Sequence, residues 1–202
     1  MQKPDWTFRR QGRREVNQGQ VLAEFFSAQR HAAESLVREA GQNTLDAGEP
    51  KKLRRLVFTL GPADGAWEPY LKGVWPHLEA QPDLVDRLPA AGGPVTFLNV
   101  EDFYTSGLTG GLDEPPEGSD EKSHRLYWFF KNWGLTSKKG GDRGSWGIGK
   151  TVFPATSMTN IFFGYTVRAD GSRLLLGQAQ LKSHTVEEAG ERVRYAPYGF
   201  FA

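Results

Sequence analysis

Between Thr105 and Gly149 glycine, lysine, serine and aspartate dominate, broken only by the aromatic run Leu126-Tyr-Trp-Phe-Phe130. A stretch this long with so little strand or helix patterning is uncommon inside a compact domain, where it is either a functional lid or disordered. The core must therefore come from the segments on either side. Upstream, Leu22, Phe25, Phe26, Ala33, Leu36, Val37 and Ala40 recur at helical spacing, which predicts an amphipathic helix from about Gln18 to Ala47. Gly48-Glu-Pro50 stops it, because glycine accepts the left-handed cap conformation and proline cannot continue the ladder. Strands are expected over Leu53–Leu60 and Pro94–Val100, with a helix broken around Pro82 between Tyr70 and Leu88. Downstream, a helix starts near Lys150, and Asn160–Arg168 and Arg173–Lys182 form a hairpin across Ala169-Asp-Gly-Ser172.

That order predicts an α+β fold, a two-layer sandwich of helices on a mixed, mostly antiparallel sheet. One main domain is expected over 20–182, with the lid at 105–149, a polar arm over 1–19 and a C-terminal tail over 183–202 leading into a further domain. Arg9, Arg10, Arg13 and Arg14 place the arm in solvent. With a formal net charge of only +1, wholesale electrostatic binding to nucleic acid or anionic membrane is not implied. The absence of cysteine excludes disulfides, thiolate metal sites and a cysteine nucleophile. No apolar run approaches the roughly 18 residues of a membrane span, and the first residues do not read as a secretory leader, so a cytoplasmic protein is expected.

Three segments carry chemistry. On the first helix Glu39 and Asn43 lie four residues apart and Asp46 three further, so all project from one face. A carboxamide and a carboxylate one turn apart suit magnesium, which prefers hard oxygen ligands, with a glutamate able to take a proton from water; a solvated helix face would look the same. Asp102, after the second strand and before Thr105-Ser-Gly107-Leu-Thr-Gly110, could accept a hydrogen bond from an exocyclic amine such as that of adenine, or simply stabilise a turn. In Gly144-Ser-Trp-Gly147-Ile-Gly149-Lys150-Thr151 the glycines let backbone amides approach an anion, phosphate being the natural ligand. These eight residues also satisfy the P-loop pattern, but a P-loop follows a buried strand, whereas Lys138-Lys-Gly-Gly-Asp-Arg143 precedes this one and Pro154 interrupts the helix after it. The four histidines, His31, His77, His124 and His184, have no metal-ligand spacing and are expected at the surface or in packing roles.

Taken in order, the three segments resemble the motifs of the GHKL superfamily of ATPases: gyrase, heat-shock chaperone, histidine kinase and mismatch-repair types. Glu39-Ala-Gly-Gln-Asn43-Thr-Leu-Asp46-Ala-Gly is similar to the N box, Asp102–Gly110 to the first glycine box and Gly144–Lys150 to the second. The resemblance implies the Bergerat ATP-binding fold and the hydrolysis of ATP with Mg2+ as cofactor. By it, Glu39 would be the general base, Asn43 the magnesium ligand and Asp46 a support for the pocket. Asp102 would take the adenine amine, Gly107 would line the pocket, and Gly144, Gly147, Gly149 and Lys150 would hold the phosphates. The chain departs from the family at Tyr104, where many members carry glycine. The expanded first box, lysine-rich lid and Trp-Gly-x-Gly-Lys second box look closest to bacterial heat-shock-chaperone-like or microrchidia-like ATPases of DNA and phage-defence systems. Lid closure, an ATP-dependent homodimer and a DNA or protein partner are the corresponding expectations. A nucleotide-gated binding module or a phospho-relay kinase domain is the alternative, the kinase disfavoured because Glu39 is placed to activate water.

Overall fold

The computed structural model describes residues 4–19, 32–63, 65–90, 93–131 and 151–202. The strands are β1 (Trp6–Arg10), β2 (Arg55–Pro62), β3 (Thr96–Phe103), β4 (Ile161–Val167), β5 (Arg173–Gln180), β6 (His184–Glu188) and β7 (Glu191–Phe201). The α-helices are α1 (Ala32–Ala47), α2 (Glu68–Leu71), α3 (Trp75–Glu79), α4 (Pro82–Val85), α5 (Arg125–Phe130) and α6 (Val152–Thr156), with 3-10 turns at Gly65–Trp67 and Glu121–Ser123. No described helix is long and apolar enough to cross a membrane.

Five strands form one sheet in the order β1-β7-β5-β4, with β6 also on β7, while β2 and β3 make a separate two-stranded sheet. Every pairing among the described strands is antiparallel, so the chain is a mixed α+β fold. The hairpin read from sequence is β4 and β5, aligned from Ile161↔Ala179 to Val167↔Arg173 and closed by the bond from Arg168 N to Ser172 O, 2.9 Å. Both earlier strands end two or three residues beyond their expected ends, and the helical stretch is broken ahead of Pro82 as expected, α3 ending at Glu79 and Pro82 opening α4. At the first helical position proline costs no hydrogen bond and its fixed φ suits the turn.

Alternation along β4 and β5 sorts their side chains onto two faces. One carries Ile161 and Ala179, which join Phe8, Val74, Leu78, Leu84, Leu181, Val186 and Tyr195 in a core covered by α3 and α4. The other carries Phe162, Leu174 and Leu176, which pack on Leu126 and Phe130 of α5. Helical segments therefore lie on both faces of the sheet where two layers were expected, because both faces are apolar and both require cover. The aromatic run of α5 packs on the sheet: Phe130 is buried and stacks on Phe162 with ring centroids 5.7 Å apart.

Strands lie within the segments read as arm and tail: β1 in the first, β6 and β7 in the second. Trp6 and Phe8 of β1 point into the core, and β7 runs through the sheet, pairing with β6 over Glu191–Tyr195 and with β5 over Tyr198–Phe201. Gly199 is required where it stands, since a Cβ there would lie 2.2 Å from Cζ of Phe8. Arg9 and Arg10 remain in solvent and pair with Glu15 and Glu188.

His77 of α3 and His184 of β6, expected at the surface or in packing roles, pack inside the first core and meet there, Nδ1 to Nε2 at 2.8 Å. His184 Nδ1 lies 2.8 Å from Lys182 O, and Phe8 stacks on His77 with centroids 3.7 Å apart. Burial and the neighbouring His184 hold the His77 pKa down to about 4, against a smaller opposing effect of Glu188. Burial also lowers His184, helped by Arg194 and opposed by the Lys182 carbonyl.

Candidate functional site

The C-terminal end of α1 is stitched to the loop that follows β3. Ser106 N donates to Ala47 O at 2.9 Å, Glu49 N donates to Tyr104 O at 3.0 Å, and Gly48 and Thr105 form an isolated antiparallel bridge. These bonds satisfy backbone groups that a helix end leaves without partners. They also bring the end of the helix bearing Glu39, Asn43 and Asp46 to the loop bearing Gly107, which follows Asp102 at the end of β3, two segments that lie far apart in sequence.

On α1 the buried positions are Ser35, Leu36, Ala40 and Thr44, and the Thr44 hydroxyl donates to Ala40 O at 2.9 Å. Val37, assigned to the apolar face by spacing, is 54% exposed, so that face is narrower than expected. At about 100° per residue Glu39, Asn43 and Asp46 fall within an arc of about 60° beside the buried stripe. Only 19% of the Glu39 side chain is exposed, and its Oε1 lies 3.2 Å from Arg38 Nε. Asn43 and Asp46 are exposed. Among the described residues no three His, Cys, Asp or Glu side chains converge as a metal site. The donor at Asn43 is a single carboxamide oxygen open to solvent, which fits magnesium, an ion that keeps several waters and takes few protein ligands beside phosphate oxygens.

Asp102 stands near the end of β3 opposite Leu56. Its residue surface is open to solvent, yet enough protein surrounds the carboxylate that desolvation raises its pKa, while a hydrogen bond from the Thr105 side chain acts the other way.

The loop from Thr105 to Gly110 is held by residues that sequence reasoning missed. Leu108 N donates to Thr166 Oγ1 at 2.9 Å, and Thr166 is buried in β4. Arg168 donates from Nε to Leu108 O at 2.9 Å and from Nη2 to Gly110 O. Arg125, at the start of α5, reaches Asp46 O at 3.2 Å and also bonds Ser106 Oγ. No local pattern distinguishes a threonine or an arginine in such a role, since each bond spans a fold contact. The described part of the expected lid is thus anchored: Leu126 N donates to Thr109 O at 2.9 Å, and Leu126 and Phe130 are buried. Gly107 has φ of 66°, and a Cβ there would lie 2.7 Å from Thr166 Oγ1. Gly107→Ala is therefore expected to destabilise the fold by about 2 kcal/mol, read as a lower urea midpoint. Arg168→Ala is expected to cost about 1 kcal/mol by the same measurement, with the loss of its bonds to two carbonyls.

Gly144, Gly147, Gly149 and Lys150 lie outside the described residues. Directly after them α6 packs against α1, which sets the downstream flank of the glycine-rich segment beside the helix of Glu39. α6 spans Val152–Thr156 and contains Pro154. A P-loop helix rises from a parallel βαβ unit, and the antiparallel pairing of every described strand supplies no such unit. Compared with known proteins, the chain matches no family model, no curated protein and no solved structure.

Proposed function

We propose that this chain is an Mg-ATP-binding domain of the GHKL type that hydrolyses ATP slowly and uses the nucleotide to drive lid closure and dimerisation. The observation that carries this reading is the joining of the α1 terminus to the loop that follows Asp102 and β3, through Ser106 N–Ala47 O, Glu49 N–Tyr104 O and the Gly48–Thr105 bridge. It joins the C-terminal end of the helix that carries Glu39, Asn43 and Asp46 to the segment that follows Asp102, which supports reading the two as parts of one site.

In this reading Asp102 accepts the hydrogen bond of the adenine amine, and Gly107, Asp46 and the Arg125 and Arg168 clamps shape the pocket around it. Gly144, Gly147, Gly149 and Lys150 hold the phosphates. Glu39 accepts a proton from the attacking water, within the half-buried setting that favours proton transfer over exchange with solvent. Asn43 holds the magnesium ion, which when bound neutralises charge on the phosphate oxygens. By the same resemblance the partners are a second copy of the chain and a DNA or protein client, in a cytoplasmic DNA-associated or phage-defence system.

Calorimetry with Mg-ATP on the wild type, Asp102→Asn and Asn43→Ala tests the assignment. The wild type is expected to bind and both variants to lose at least about tenfold in affinity, the size of one good hydrogen bond to a charged group. Absence of binding by the wild type overturns the reading. Loss of binding in Lys150→Ala with Asn43→Ala and Asp102→Asn intact would instead establish a P-loop nucleotidase. Brisk turnover independent of protein concentration would overturn slow, dimer-linked hydrolysis.

A further inference from the structure

Tyr104 has a backbone conformation that its side chain disfavours. Its φ is 62°, in the left-handed region where a Cβ is crowded and glycine is not. The conformation is imposed by its surroundings: Tyr104 O accepts from Glu49 N at 3.0 Å, and its neighbour Thr105 bridges Gly48. Three other described non-glycine residues have positive φ, and their settings differ. Ala189 sits with Gly190 in the turn joining β6 to β7, Lys51 lies in the turn after α1, and Asn160 is of a type that takes this region readily. Tyr104 alone of these places a large ring there.

The ring gives the fold little in return. It is 56% exposed, and no hydrogen bond or ring stack ties it to another described residue. A strained, bulky residue more than half exposed, two positions after Asp102 in a loop held by its neighbours, points to use by a ligand. We propose that Tyr104 is a base-stacking residue, its ring lying against the face of the purine whose exocyclic amine Asp102 accepts. This rests on the ATP-binding reading above and adds to it a division of labour. Asp102, with an acceptor only, selects an amine-bearing base over one presenting a carbonyl, while the aromatic face supplies affinity that any base would receive.

The test uses Tyr104→Gly and Tyr104→Phe on the full chain, with thermal unfolding in the absence of nucleotide and calorimetry with Mg-ATP and with Mg-triphosphate, which has no base. Tyr104→Gly is expected to raise the midpoint of unfolding, because glycine removes the strain, and to weaken ATP binding at least about tenfold, as the loss of one base stack predicts. Triphosphate binding is expected to be unchanged, and Tyr104→Phe to bind ATP as the wild type does. A role confined to loop structure would move ATP and triphosphate together, and that result overturns the proposal. Wild-type ATP affinity in Tyr104→Gly overturns it while leaving the ATP reading intact, and a lowered unfolding midpoint refutes the strain on which it is built. Failure of the wild type to bind ATP at all overturns both.

Discussion

Glu39→Gln is expected to leave Mg-ATP affinity within a few-fold of the wild type and to slow phosphate release by about 10²–10⁴-fold, the usual contribution of a positioned base. The substitution keeps size and hydrogen-bonding reach on α1 and removes the capacity to take a proton. A competing effect is the lost ion pair with Arg38 at 3.2 Å. That pair joins adjacent positions with Arg38 well exposed, and such surface pairs contribute about 0–1 kcal/mol, too little to account for a large rate loss. Single-turnover phosphate release beside calorimetry separates the two: a parallel fall in affinity and rate would assign Glu39 to binding, and an unchanged rate would remove it from the chemistry.

The second large effect is a loss of stability in acid. His77 and His184 are buried in contact, each with a lowered pKa. The unfolded chain, with histidine near its ordinary 6.5, binds more protons than the folded one wherever the pH lies between that value and about 4. Stability from the neutral pair is thus complete above about pH 6.5 and is lost as pH falls toward 4. For His77 alone the drop from 6.5 to about 4 corresponds to about 3 kcal/mol. Carboxylates add their own acid dependence, so the measurement is a difference: urea midpoints from pH 7.5 to 4 for the wild type and His77→Gln, which keeps a donor without titrating. The wild type is expected to fall more steeply through this window, and parallel curves would show the pair to be electrostatically inert. The groups around it, Glu188, Arg194, Lys182 with its Asp83 partner and Tyr195, are unchanged in the variant.

Where local chemistry decides structure, the sequence was readable. Gly48-Glu-Pro50 marked the end of α1 at Ala47, and the β4–β5 hairpin followed from alternation around Ala169–Ser172, where Asp170 Oδ1 accepts from Ser172 N at 2.9 Å. β1 was hidden because an edge strand with two inward rings, Trp6 and Phe8, sits among arginines whose charge reads as a solvated arm. β7 was hidden by Pro197, a residue that argues against a central strand. The structure places it where pairing with β6 has ended at Tyr195 and pairing with β5 begins at Tyr198, and β1 is bulged between Phe8 and Arg10, so its missing N–H falls between ladders. The candidate site shows the same division. Glu39, Asn43, Asp46, Asp102 and Gly107 could be offered as candidates, from spacing read together with the family resemblance. Thr166, Arg125 and Arg168 could not, because they act through carbonyls and amides brought close only by the fold.

The pairing of Trp6 with Phe201 has a consequence in time. On a ribosome the first strand emerges long before its partner, and β1 and β6 have no sheet to join until β7 follows. Trp6 and Phe8 thus spend most of synthesis without the surface they finally cover, while local pieces such as α1 and the β4–β5 hairpin can already form. Contacts closing over so many residues slow folding and prolong the exposure of sticky rings. The nascent chain is therefore at its most vulnerable to misassociation before residues 191–201 are released, and a chain stopped short of them lacks the strand around which its sheet assembles.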